Sequence, residues 1–123
     1  MTLLAPILAA MTLFAGARVG IGTVFGSSSW DRHNPHDVLA CYRPRRIDDS
    51  RDRVVAHRTL PCRSRVLVCA LRSGRCVEAT VGDRGPRRAL VDLSRLVADA
   101  IGHNGRESVL LVPLPGPVTV AAR

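Results

Sequence analysis

At 123 residues the chain has room for one domain of ordinary size and no second. All 18 basic residues are arginine, against 10 acids, and the net charge of +8 predicts attraction to polyanions. Beyond the first residues the only aromatics are Phe25, Trp30 and Tyr42, too few for a base-stacking platform. No nucleic-acid partner is therefore expected; an anionic cell envelope is the favoured polyanion, with a generic arginine-rich surface as the plain alternative.

Residues 3–15, LLAPILAAMTLFA, are apolar, and Ala15-Gly16-Ala17 has the small-x-small form read by a signal peptidase. The first basic side chain is Arg18, so the usual positive n-region is missing. Residues 1–17 fall short of the ~20 that a membrane-crossing helix needs. The expectation is an export signal over 1–17, an uncleaved anchor or a buried strand being the alternatives, followed by a domain over 18–123. No stable membrane span is expected after cleavage, and the destination is secreted, periplasmic or cell-envelope.

Next, VGIGTVF after Arg18 reads as a short first strand; its glycine spacing misses the dinucleotide fingerprint. Residues 27–53 hold Ser, Asp, Asn, Pro and Arg with little periodicity and read as a long surface loop pinned by Cys41. Within it, Asp31, His33, His36 and Asp37 offer imidazoles and carboxylates, but irregular spacing makes a plain loop the better reading than a metal site. Trp30 is placed either against a sugar ring or as a plug at one end of the fold.

Regular alternation begins at Arg65. Val66, Val68 and Ala70 share one face of a strand, and Val77, Ala79 and Val81 share one face of the next. Arg72-Ser73-Gly74 turns the chain between them. Residues 93–102 read as a short helix, with Asp92 or Ser94 as cap, an apolar stripe of Leu93, Leu96, Val97 and Ile101, and Gly102 as stop. Val109–Val112 is a buried strand and Val118–Ala121 a candidate last one. Many short strands with one helix indicate a small all-β barrel.

Four cysteines in a short exported chain point to two disulfides, and three connectivities are open. Cys69 and Cys76 flank the hairpin turn on one face, which favours Cys69–Cys76 and leaves Cys41–Cys62. Their spacings fit no zinc pattern, so no metal is expected, and paired sulfurs leave no thiolate nucleophile. No motif implies a cofactor.

The ordered series Ala56-His57-Arg58-Thr59-Leu60-Pro61-Cys62, Val81-Gly82-Asp83-Arg84-Gly85-Pro86 and Val91-Asp92-Leu93-Ser94 resembles the RlpA-like (rare lipoprotein A) double-psi β-barrel family, related to expansin and barwin-like barrels. The resemblance covers residues 53–114. It implies a six-stranded barrel with one short helix and, from characterised members, a lytic transglycosylase acting on peptidoglycan. On it, Asp83 and His57 map onto polar cleft positions, and Asp49 stands before His57 where active members carry an aspartate. Arg46 stands where they carry a further acid, and Arg87-Arg88-Ala89 where they carry an aromatic and a glycine.

Such chemistry needs one acid that protonates the glycosidic oxygen and then acts as base. Asp83 is the first candidate, His57 and Asp49 assisting; the competing reading of Asp83 is a turn carboxylate accepting backbone N–H groups, and that of Asp49 a solvated loop. Arg84, Arg87, Arg88, Trp30 and Tyr42 are candidate substrate contacts. Three functions follow: a peptidoglycan lytic transglycosylase, a non-catalytic wall-polysaccharide-binding module, or a secreted stability-type or inhibitor protein reusing the barrel. A monomer is expected in each case.

Overall fold

The computed structural model describes residues 16–26 and 38–116. Residues 1–15 of the predicted leader, Trp30, the His/Asp tract and the candidate strand Val118–Ala121 lie outside the described residues. Six strands form a closed barrel: β1 (Arg18–Phe25), β2 (Val54–Ala56), β3 (Arg65–Ala70), β4 (Cys76–Asp83), β5 (Val91–Ser94) and β6 (Arg106–Pro113). Around the barrel they run β1-β5-β2-β4-β3-β6. Closure removes sheet edges, which otherwise present unpaired backbone groups.

The hairpin β3–β4 forms as its alternation predicts. Val66 pairs with Ala79 and Val68 with Val77, and Val66, Val68, Ala70, Ala79 and Val81 are all buried. Valine's branched side chain suits this pleated surface. Val55, Val91, Leu93, Val109 and Leu111 complete the interior from the other strands. On the outside of β3 and β6, Cys69, Leu110 and Val112 cover Ala17 in a smaller apolar cluster.

Two parallel pairings, β1 with β5 and β2 with β4, join strands distant in sequence, while the remaining neighbours are antiparallel. The connections that make these parallel contacts are the two crossings of a double-psi barrel, the architecture expected from the sequence.

Two local readings change. The described end of the expected surface loop is packed: Val38 bridges Arg46, a 3-10 turn spans Ala40–Tyr42, and Leu39, Cys41, Tyr42 and Ile47 are buried. Apolar side chains at these positions pack onto the barrel, so backbone polar groups there pair locally, as Leu39 N–H does with Arg45 O at 2.9 Å. The second change concerns the helix start. Asp92 is a strand residue, and Ser94, the last residue of β5, precedes the helix without a side-chain cap. The helix α1 is shorter than expected, Arg95–Ile101. The Ser94 hydroxyl instead accepts from Val54 N–H at 3.2 Å and donates to Asp52 O at 2.7 Å, fully buried. Gly102 ends the helix as expected, with φ +66°.

Both disulfides have the favoured pairing, Cys41–Cys62 and Cys69–Cys76. Cys69 and Cys76 are direct cross-strand partners. The hairpin they close also holds the helix end, Arg72 Nη2 donating to Gly102 O at 2.7 Å and Ser73 Oγ to Ile101 O.

Candidate functional site

One row of residues crosses four strands on the outside of the barrel. Thr23 pairs with Asp92, Asp92 with Ala56, and Ala56 with Asp83. Direct partners in a sheet share a face, so the two carboxyl groups lie on the same side with a small residue between them. Two ladder spacings separate their backbones by about 10 Å.

Asp83 reaches this face because of a bulge. Ala79 and Val81 point inward, and strict period two would send Asp83 inward as well. Val55 pairs with Val81 but Ala56 pairs with Asp83, leaving Gly82 as the extra residue. The register shift turns Asp83 to the side of Ala56 and Asp92. Glycine is required at the bulge, since a Cβ there would lie 2.8 Å from Val54 Cβ.

Asp83 is held by the backbone. Its Oδ1 accepts from Ala40 N–H at 3.0 Å and from Arg84 N–H at 2.9 Å. This is the turn-carboxylate arrangement, and it anchors the Ala40–Tyr42 turn to β4. Asp92 differs: its Oδ1 accepts from Thr23 Oγ1 at 2.9 Å. Burial, ahead of the charge on Asp83, raises its proton affinity above that of an ordinary aspartate. A cap assignment for Asp92 overlooks its local pattern; the apolar-polar alternation Val91-Asp92-Leu93-Ser94 is the signal for an outward strand residue.

His57 follows directly on β2, its N–H donating to Asp83 O at 3.1 Å. Its Nδ1 accepts from Thr59 N–H and Leu60 N–H, both at 3.1 Å, so the ring proton resides on Nε2. Partial burial, then the neighbouring Arg58 and Arg84, lower its proton affinity and favour the neutral ring. Asp49 does not join this group. It pairs with Arg95 at 3.9 Å and lies against Gly26. Gly26 is three residues beyond Thr23, the β1 partner of Asp92, and so about 10 Å along the strand from the row.

The arginines divide by role. Arg84 Nη1 donates to His57 O at 3.1 Å and to Leu60 O at 2.5 Å, so this side chain ties two loops together rather than projecting toward a ligand. Arg58 Nη1 likewise donates to Pro86 O at 3.1 Å and Arg87 O at 2.8 Å. Arg87 and Arg88 are exposed on the loop so held. Tyr42 is buried, its ring between the guanidinium groups of Arg45 at 5.3 Å and Arg63 at 4.9 Å, and it offers no open face for stacking on a sugar. Among the described residues no cluster of three His, Cys, Asp or Glu side chains is arranged to hold a metal. Nor is any described helix long and apolar enough to cross a membrane.

No protein-family model matches the sequence, and no curated protein matches it. Among solved structures, the chain is similar to a Streptomyces papain inhibitor, at 21% identity and TM-score 0.60 over 84% of this chain and 98% of that one. It is also similar to cerato-platanin 3 from M. perniciosa, at 12% identity and TM-score 0.54 over 80% and 95% of the two chains. A rationally designed protein, apDPBB_sym_79, matches at 14% identity and TM-score 0.50 over 80% of this chain and 100% of its own. At these identities the shared property is the fold, and that fold is the double-psi β-barrel.

Proposed function

We propose that this barrel is a non-catalytic module that binds an anionic cell-wall polysaccharide across the outer face carrying Thr23, Asp92 and Asp83. The observation that carries the reading is the engagement of the expected catalytic groups in structure. Asp83 Oδ1 holds two backbone N–H groups, His57 Nδ1 holds two more, and Asp49 lies apart beside Arg95. What remains for a ligand is a polar row suited to sugar hydroxyls, together with Arg87 and Arg88, exposed on the loop between β4 and β5 and suited to carboxylate or phosphate groups. The cell wall enters through the resemblance to the RlpA-like family, and two disulfides suit an oxidising, extracytoplasmic compartment. One similar structure is named as an inhibitor of papain, a use of this barrel that needs no catalytic group.

A second reading, lytic transglycosylase, is favoured by one observation: burial makes Asp92 hold its proton more tightly, and that reaction needs a single protonated carboxyl group. In it Asp92, rather than Asp83, would protonate the glycosidic oxygen. Pelleting with purified peptidoglycan, followed by mass spectrometry of the supernatant, separates the readings. The binding module pellets, releases no 1,6-anhydro ends, and dissociates at lower salt after Arg87→Gln with Arg88→Gln. Anhydro products that disappear in Asp92→Asn would establish the enzyme instead. Failure to pellet with any wall preparation would sink both, and inhibition of papain would then support the third function.

A further inference from the structure

The two disulfides sit in opposite electrostatic surroundings. Cys62 Sγ faces Arg84 Nη2 at 3.2 Å, whereas Cys76 Sγ faces the carbonyl oxygen of Gly74 at 4.0 Å. A fixed cation beside sulfur stabilises a thiolate and lowers the thiol's pKa; the negative end of a carbonyl opposes ionisation. Stabilising the reduced form makes a disulfide the easier one to open. Arg84 is already positioned for this, because its other terminal nitrogen is bonded to His57 O and Leu60 O. The charge therefore stays at Cys62 whether the sulfur is paired or not, and little reorganisation opposes it.

Position adds a second difference. Cys69–Cys76 clamps two directly paired strands, while Cys41–Cys62 ties the 3-10 turn Ala40–Tyr42 to the loop before β3. That turn supplies the Ala40 N–H held by Asp83 Oδ1. Arg63 Nε, next to Cys62, donates to Cys41 O at 3.2 Å and adds a weaker, non-covalent tie between the same two segments.

We propose that Cys41–Cys62 is a thiol–disulfide exchange site for an external dithiol, and that opening it releases Ala40 from Asp83. The dithiol loses two electrons and two protons and becomes a disulfide. The Cys41–Cys62 bond accepts both electrons and breaks. Cys41 takes one proton, Cys62 remains a thiolate against Arg84, and the second proton goes to solvent. With the tether open, the Ala40 N–H leaves Asp83 Oδ1, which keeps the Arg84 N–H and gains one open acceptor position on the outer face. Cys69–Cys76 remains closed and keeps the barrel and the helix end intact. This inference is independent of what the barrel binds.

The test poises the full chain in mixtures of reduced and oxidised dithiothreitol, alkylates free thiols, and locates them by peptide mass spectrometry. Cys41 and Cys62 are expected to open at a reduced-to-oxidised ratio at least ~10-fold lower than Cys69 and Cys76. Arg84→Lys should keep most of that gap and Arg84→Gln should lose it. In the selectively reduced protein the Ala40 amide should lose its protection from hydrogen exchange. Opening of Cys69–Cys76 first or together with the other bond would overturn the proposal, as would an Ala40 amide still protected after Cys41–Cys62 opens. Should Arg84→Gln fail to fold, the wild-type protein still decides the matter through the pH dependence of Cys62 alkylation. A midpoint below the ordinary thiol value of about 8.5 supports the proposal, and one at or above it refutes it.

Discussion

Asp83 and Asp92 share one cross-strand neighbour, Ala56, and therefore face the same side of the barrel from either flank of β2. They are unequal partners. Asp83 is tied to backbone N–H groups, whereas Asp92 is desolvated and feels the charge of Asp83.

That inequality predicts a pH dependence. The folded pKa of Asp92 lies above its unfolded value, so the stability from protonated Asp92 is fully present below the unfolded value. It is lost as the pH rises through the folded value. Asp92→Asn cannot ionise and keeps an oxygen for Thr23. Its Tm should exceed that of the wild type near neutral pH, with the gain shrinking to nothing in acid. A gain that persists unchanged in acid would show that ionisation is not its source.

His57 has the opposite sign. Its folded pKa is depressed, so the stability from the neutral ring is present above the unfolded value of about 6.5 and is lost as the pH falls through the folded value. His57→Asn retains an acceptor for the turn and cannot charge, so its Tm should fall less than that of the wild type across this window. His57→Ala leaves the Thr59 and Leu60 N–H groups without their acceptor and should cost about 1 kcal/mol at neutral pH. Thermal unfolding of the three proteins over a pH series checks both statements.

Ser94 is the buried link between β5 and the segment entering β2. Ser94→Ala strands the Val54 N–H and the Asp52 carbonyl in the interior and should destabilise the fold by about 1–3 kcal/mol in urea unfolding. A loss within ~0.5 kcal/mol would mean those groups find other partners.

Gly82 allows the bulge that aims Asp83 outward. Gly82→Ala brings a methyl group to within 2.8 Å of Val54 Cβ and should cost about 1–3 kcal/mol. Val54→Gly removes both the Cβ and the Cγ1 that the new methyl group would meet and costs stability alone, but in the double variant the loss should be smaller than the sum of the two, because the collision is relieved. Strict additivity in a double-mutant cycle would remove steric contact with Val54 as the reason for glycine.

Much of this is readable from the chain, and the exceptions have physical causes. The β3–β4 hairpin declares itself because alternation over six or more residues specifies both the strand and its buried face, and Cys69 and Cys76 follow from that register. Asp92 reads as a helix cap because an Asp-x-Ser before an apolar stripe is also what a capped helix offers; pairing with Thr23 and Ala56 decides for strand. Tyr42, in a polar segment, reads as available to a ligand, and only packing against Gly82 and between two arginines shows it buried.

The order of apolar and polar residues by itself determined the hairpin strands, the helix with its glycine stop, and one disulfide, since all of these depend on neighbours within a few positions. Tertiary structure alone decided which carboxyl groups meet, because Thr23, Ala56, Asp83 and Asp92 come together through pairings between strands far apart in the chain. It also decided which of them is tied to the backbone: a hydrogen bond from Ala40 to Asp83, formed between residues 43 positions apart, leaves no trace in local sequence.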